Sequence, residues 1–206
     1  DFYKLKLLKK YNVTRISLNP QTFNEKALKA MGRIQNNENL LDLYTQAKSL
    51  GFVINMDFIL GLLYDDVNNT EENLKILKEL QPDNITFHTL SIKNGSKYSQ
   101  QYDKENFEEN IAEKQMQLVK KWTLQNNYRP YYLYRQKNIL NNMENIGYCK
   151  DIPSRYNIVI NEELESIIGF GMTANSKIIK DDIIKYTNYK NLRDYSEKLE
   201  EIIKRK

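Results

Sequence analysis

The chain has 206 residues, 40% hydrophobic and 28% charged, with a formal net charge of +4. That length suffices for one sizeable domain with its own core. The basicity is too mild and dispersed to demand nucleic acid, the single cysteine, Cys149, rules out an internal disulfide framework, and no apolar run approaches the roughly 18 residues of a membrane span. The lysine-rich ends (Lys4, Lys6, Lys9, Lys10 and Lys204, Arg205, Lys206) read as solvated surface. No signal peptide is expected, and the cysteine usage fits a reducing, cytoplasmic setting.

Short β-rich runs alternate with longer helical patterns along the chain. Asn12–Asn19 reads as a strand. Asn24–Gly32 reads as a short helix, capped by Asn24 and stopped by Gly32. Glu38–Leu50 carries an apolar stripe of Leu40, Leu41, Tyr44, Ala47 and Leu50, and Gly51 ends it. Val53–Leu60 is the next strand. Thr70–Gln81 is expected as a helix capped by Thr70 and closed by Pro82. Asn84–Ser91 is a strand, Lys104–Asn126 a long helix, and Arg129–Arg135 a strand that tolerates Pro130 near its start. This alternation predicts parallel strands joined by right-handed crossovers. Beyond Asn138 the pattern changes, with two short strands expected at Arg155–Asn161 and Ser166–Phe170 and a terminal helix at Asn191–Lys204. The expected organisation is an α/β domain over residues 1–138 with a C-terminal extension over 139–206.

Strand side chains alternate between faces. Thr14, Ile16 and Leu18 oppose Arg15, Ser17 and Asn19. Ile54, Met56 and Phe58 oppose Asn55, Asp57 and Ile59, and Ile85 and Phe87 oppose Thr86 and His88. A closed barrel fills its interior with aliphatic residues. This polar interior predicts an open, partial barrel whose lumen holds a polar ligand, or else a set of mutually satisfied buried hydrogen bonds. Asp57 poses the question most sharply, because a carboxylate amid INMDFILGLL must be paired or hydrogen-bonded. Ligands on parallel sheets bind at strand carboxyl ends, which Gln21, Arg33, Gly61 and Ser91 follow. The GFGMTANS stretch (Gly169–Ser176) has two glycines but matches neither a Walker loop nor a dinucleotide fingerprint, so it reads as turn chemistry. His88 reads as a satisfied interior group and Cys149 as a packed thiol.

RISLNPQ (15–21), MGR (31–33), NMDFILGL (55–62), QPDNITFHTLSIK (81–93), YRPYYLYRQKN (128–138) and GFGMTANSK (169–177) follow one another at fitting spacings. Together they resemble the C-terminal part of a radical SAM enzyme of the oxygen-independent coproporphyrinogen III oxidase/dehydrogenase family, nearest its HemZ-like branch. The resemblance implies a partial (β/α) TIM-like barrel, the cofactor S-adenosyl-L-methionine and a [4Fe-4S] cluster. It implies oxidative decarboxylation of propionates to vinyls on a tetrapyrrole substrate, with an electron donor such as a flavodoxin or ferredoxin. Carried over by position, Gln21, Arg33, Asp57, Ser91 and Asn175 would hold the S-adenosylmethionine. Arg suits a carboxylate, and an acid or amide suits ribose hydroxyls; Arg33 is otherwise a helix C-terminal cation. Tyr132, Tyr134, Arg135 and Lys137 would suit a flat substrate bearing propionates, or would form an ordinary edge strand.

The sequence departs from the family at its defining feature. A CxxxCxxC loop supplies three thiolates to the cluster, and one cysteine cannot. No metal ligand is therefore expected within this chain; the cluster ligands are expected upstream of it, and the chain alone is expected to be inactive. Gly61-Leu62-Leu63 stands where relatives commonly carry Gly-Leu-Pro. Rival expectations are a non-catalytic haem-binding or trafficking relative, a radical SAM enzyme with another substrate, and a nucleic-acid-binding domain, the last lacking a basic stripe.

Overall fold

The computed structural model describes residues 1–92, 97–102, 110–137 and 139–205, and contacts divide the chain into two units, Asp1–Ser154 and Arg155–Lys206. In chain order the first unit holds α1 (Phe2–Lys10), β1 (Arg15–Ser17), α2 (Glu25–Ala30), α3 (Asn37–Ser49), β2 (Val53–Leu60), α4 (Val67–Leu80), β3 (Asn84–Thr89), α5 (Lys97–Tyr102), α6 (Ile111–Gln125), β4 (Arg129–Tyr134), a 3-10 turn at Leu140–Asn142, and β5 (Asn145–Cys149). The predicted α/β architecture is present.

Helix boundaries follow local chemistry. The Asn24 side chain accepts from the amides of Lys26 and Ala27, as expected of an N-cap. Gly32 and Gly51 take positive φ and end α2 and α3. The cap of α4 is a correction. Asp66, not Thr70, is its N-cap, in a reciprocal capping box with Asn69. Thr70 lies inside the helix, and its hydroxyl donates to the Asp66 carbonyl. The expected long helix Lys104–Asn126 is seen as α6; residues 103–109 lie outside those described.

The sheet has the order β1-β2-β3-β5-β4. β1, β2 and β3 are parallel neighbours. β4 does not pair with β3, as the alternation implied. β5 enters between them, antiparallel to both, so β4 runs in the same direction as β3 but one strand further out. The sequence reading missed β5, although its Asn-Ile-Gly-Tyr-Cys alternates as a strand should. Ile54, Met56, Phe58, Ile85, Phe87 and Tyr148 form one face of the sheet and pack with Tyr44, Leu74, Leu77, Met116 and Val119 from the helices. Phe58 and Phe87 stack at 5.6 Å, and Phe87 meets Tyr148 edge-on at 6.2 Å. The polar residues are thereby left on the opposite face.

The second unit holds α7 (Arg155–Glu162), a hairpin of β6 (Asn175–Ile179) and β7 (Ile183–Thr187), α8 (Leu192–Glu197) and α9 (Leu199–Arg205). Arg155–Asn161 is helical, not a strand. Ser166–Phe170 contributes only an isolated bridge, between Ile167 and Lys177. The terminal helix is two helices broken at Lys198. Division falls at Ser154/Arg155 rather than at Asn138, because β5 belongs to the first unit's sheet.

Candidate functional site

The β1–β2–β3 register aligns the polar residues in rows: Ser17 beside Asn55 beside Asn84, then Asp57 beside Thr86. The row at the strand amino ends is structural. Arg15 bonds to the Asn84 side chain and donates to the carbonyls of Ile152 and Pro153 at 3.3 and 3.2 Å. Asn84 also donates to Ile152 at 3.0 Å. Around Arg15 and Asn84 the polar face is therefore closed by satisfied hydrogen bonds, the reading without a ligand.

Higher up the balance differs. Asn55 donates through Nδ2 to Asp57 Oδ1 at 2.8 Å and to Ser17 Oγ at 3.3 Å, while its own Oδ1 is buried with no partner. His88 Nε2 stands 3.9 Å from Asp57 Oδ2, a charge-pair distance rather than a hydrogen bond. Burial alone would raise the Asp57 carboxyl, but the facing His88, Asn55 and Thr86 side chains together outweigh it and hold it below its ordinary value. Asp57 is thus an ionised acceptor, about one-fifth exposed, in a wall of donors.

β4 supplies the facing aromatic wall. Arg129 pairs with Cys149 and Pro130 with Tyr148, but Tyr132, not Tyr131, pairs with Gly147. This bulge changes the parity of the strand. Tyr132 and Tyr134 turn to the polar face, and Leu133 turns out to solvent, 57% exposed. The Tyr132 ring lies over Gly147, where an added Cβ would fall 1.8 Å from Cε1. From there its hydroxyl reaches Thr86 Oγ1 at 3.0 Å. The Tyr134 hydroxyl is 3.0 Å from His88 Nδ1. The two phenol rings are parallel, 6.0 Å apart. Burial raises both phenols, so both are neutral. Beneath them Asn145 is fully buried; its Oδ1 accepts from the Thr89 amide at 2.7 Å, and its Nδ2 has no partner.

Three of the expected cofactor residues gather at the β1 and β2 ends. Gln21, at φ 67, extends the ladder: its amide donates to the Asp57 carbonyl at 2.9 Å, and its carbonyl accepts from Ile59 at 2.8 Å. The Arg33 guanidinium donates to the Asn19 carbonyl at 2.6 Å, and Asn19 Oδ1 is buried without a partner. Arg33 is therefore anchored to the end of β1 and not to the carbonyls of α2. Ser91 follows β3 and donates to the Lys137 carbonyl at 2.7 Å, joining two expected site residues from different strands. Arg135 is exposed and paired with Glu144 at 3.3 Å; Lys137 is exposed.

Asn175 lies in the second unit, exposed on β6, where it accepts from the Thr187 hydroxyl at 2.6 Å. The glycines before it make a stapled turn. Gly169 donates to Ser176 Oγ and Gly171 to the Tyr195 hydroxyl, both at 3.0 Å, while Asn188 donates to both glycine carbonyls. An added Cβ at Gly169 would fall 2.4 Å from the Asn175 carbonyl oxygen.

The sequence reading gave no role to Asn145, Gly147 or Gln115. Gln115, fully buried on α6, accepts from the Gly61 amide at 2.7 Å and donates to the Asp65 and Asp66 carbonyls at 2.9 and 3.1 Å. It fixes the loop that follows β2. A glutamine within an otherwise apolar helical stripe was the available signal.

The residues fit the two expected cofactors unequally. Unpartnered acceptors on Asn55 and, after β1, Asn19, with the ionised Asp57 in the middle of β2, suit the hydroxyl and amino groups of an adenosyl ligand. An iron–sulfur cluster is not fitted: Cys149 is the sole cysteine, it is buried on β5, and burial raises its thiol. Among the described residues no group of three or more His, Cys, Asp or Glu is placed to hold a metal.

An α/β sheet with helices on one face and polar side chains on the other is similar to the partial barrel of the radical SAM type. The chain matches the radical SAM superfamily model over residues 3–77. It superposes with TM-score 0.72 on the coproporphyrinogen III oxidase HemN of Escherichia coli, a radical SAM enzyme, at 19% identity, covering 98% of this chain and 46% of that one. It is 40% identical, over 96% of its length, to an oxygen-independent coproporphyrinogen-III oxidase-like protein HemZ of Bacillus subtilis, spanning 40% of that protein. A weaker match, 25% identical over 91% of the chain and 47% of the relative, is to the heme chaperone HemW of Buchnera aphidicola subsp. Schizaphis graminum. The chain is thus similar to the radical SAM superfamily over residues 3–77 and to coproporphyrinogen III oxidase-like relatives over nearly its whole length, and it spans less than half the length of these relatives.

Proposed function

We propose that this chain forms the S-adenosylmethionine-holding wall of a radical SAM oxidoreductase of the coproporphyrinogen III oxidase-like kind, acting on a tetrapyrrole. The observation that carries the reading is Asp57: ionised, oriented by Asn55 and His88, and set among buried acceptors that have no partner. An unpaired buried polar atom costs about 1–3 kcal/mol, and a ligand supplying hydroxyl and amino donors would remove that cost. When bound, S-adenosylmethionine with its cluster supplies the radical chemistry of the superfamily. This chain's residues bind, orient and exclude water. Asp57 accepts from ligand hydroxyls, Gln21 and Arg33 hold the end of β1 against the ligand, and the backbone near Ser91 borders it.

Tyr132 and Tyr134 present a flat apolar wall with their hydroxyls already engaged, which suits a macrocycle face. Lys137 is the better cation for a propionate, since Arg135 would first have to leave Glu144. An electron donor such as a flavodoxin or ferredoxin and a cytoplasmic setting belong to the same proposal. No described helix is long and apolar enough to cross a membrane.

The test is calorimetric titration of S-adenosylmethionine into the chain and into Asp57→Ala. Loss of one charge-assisted hydrogen bond predicts roughly tenfold weaker binding. Equal affinity of the two proteins would remove Asp57 from the site. The likeness to a heme chaperone favours a second reading, haem binding without turnover. Hemin that binds the chain while S-adenosylmethionine does not would favour it.

A further inference from the structure

His88 is the chain's single histidine, and it stands between two strands of the site. Its Nδ1 is 3.0 Å from the Tyr134 hydroxyl, and its Nε2 faces Asp57 Oδ2 at 3.9 Å. Among the described residues, the titratable groups around it are Asp57 from β2 and Tyr134, with Tyr132 alongside, from β4. The neighbouring strand β5 presents Asn145 and Gly147, which do not titrate.

A neutral imidazole carries one N–H, and its neighbours choose which nitrogen bears it. The neutral Tyr134 hydroxyl accepts from Gln136 Nε2 at 3.4 Å, which leaves its own proton for a bare Nδ1. The imidazole proton is then on Nε2, directed at the carboxylate. The other tautomer would set a bare nitrogen against Asp57, acceptor to acceptor. Both neighbours therefore select the same form. Asp57 Oδ1 is meanwhile held by Asn55, and the Nε2–H dipole faces Oδ2 from the other side at 3.9 Å.

We propose that His88 and Tyr134 are positioning residues for the ligand site: Tyr134 fixes the imidazole as its Nε2–H tautomer, and that imidazole orients Asp57 as a preset acceptor for ligand hydroxyls. This rests on the reading of Asp57 as a contact to S-adenosylmethionine, and it adds the residues that make the contact ready before the ligand arrives. Preorganisation of this kind lowers the ordering cost of binding. Neither residue touches the ligand in this scheme; both act through Asp57.

With one histidine, nitrogen-15 spectra read the site without assignment. At pH 8 the chain should show mainly the Nε2–H tautomer, by about tenfold, the population effect of one ordinary hydrogen bond. Tyr134→Phe keeps the ring and removes the donor, so this preference should fall several-fold while circular dichroism stays unchanged. S-adenosylmethionine affinity measured from pH 4 to 8 gives the second readout. Its acid limb should move to higher pH in Tyr134→Phe and further in His88→Gln, as Asp57 loses support for its ionised form. A wild-type imidazole that is mainly Nδ1–H, or a tautomer ratio unchanged in Tyr134→Phe, overturns the proposal. So does an acid limb that moves in neither variant. If the tautomer shifts as expected but no S-adenosylmethionine binds the wild type, the positioning of Asp57 stands and the ligand assignment falls.

Discussion

Two buried carboxylates on or just after β2 face opposite fates. Asp57 meets His88, Asn55 and Thr86 and is held below its ordinary value. Asp65, 4% exposed, has one oxygen with no partner. Burial pushes it up to about 6 against hydrogen bonds from Thr22 and Asn24, and the charge of Asp66 adds to the rise. Its folded value thus lies above the unfolded 3.8, so between about pH 4 and 6 the folded state binds more protons. Stability from this group falls as pH rises through that window, and the cost is fully present above it. Asp65→Asn should therefore gain stability at pH 7, up to about 3 kcal/mol, and little at pH 4. Urea unfolding at both values checks this; a gain of the same size at both would show that ionisation is not the cost. Strand alternation alone placed Asp57 on the polar face. Its ionisation was not legible in the sequence, because it is set largely by Thr86 and His88 on the next strand, as that of Asp65 is set by burial beside Thr22 and Asn24.

At the scale of elements, Gln115 makes three of the bonds that hold the loop after β2, beside the Tyr98 hydroxyl on the Leu63 amide and the Asn24 side chain on the Tyr64 carbonyl. Gln115 on α6 satisfies the Gly61 amide and two carbonyls of residues 65 and 66. Gly61 itself takes φ 80, and its α-carbon faces Leu140 and Ala112 so closely that an added Cβ would sit 2.9 and 3.2 Å from them. Gln115→Ala would leave the buried Gly61 amide and the Asp65 carbonyl unpaired and open a cavity, while the Asp66 carbonyl keeps its bonds from Thr70. It should cost roughly 2–4 kcal/mol and speed hydrogen exchange at Gly61 more than at Phe58 in mid-strand. Uniform exchange would mean that the other anchors hold the loop without it. Elements with strong periodicity were legible: β2 is Val53–Leu60 as read. The errors have physical causes. Arg155–Asn161 carries the β-branched Ile158, Val159 and Ile160, yet forms α7, with Val159 buried; tertiary context overrides propensity there. The bulge that turns Tyr132 and Tyr134 inward has no local signature, since its register is set by Gly147, sixteen residues on from Tyr131.

For the whole molecule, the sheet order decides where the chain can be cut. The strand–helix alternation ends at Asn138, which by sequence alone puts a boundary there. The structure places β5 after that point, as the ladder partner of β4 and a neighbour of β3. It also places Tyr148 in the main core. Every buried residue of that core, from Leu5 to Tyr148, lies before Ser154, and the carbonyls of Ile152 and Pro153 satisfy Arg15 and Asn84. A chain ending at Ser154 should therefore keep the first unit's fold, with a cooperative urea transition and the His88 tautomer of the full chain. A chain ending at Asn138 loses the β5 ladder and about 2–3 kcal/mol for Tyr148 burial alone, and exposes β3 as an open edge. Against a typical total of about 5–15 kcal/mol, with β4 left unpaired, it should not fold cooperatively. Comparable transitions from both chains would mean that β5 lies on the sheet without holding it together. A failure of the longer chain would mean that residues 155–206 supply stability that the core of the first unit does not.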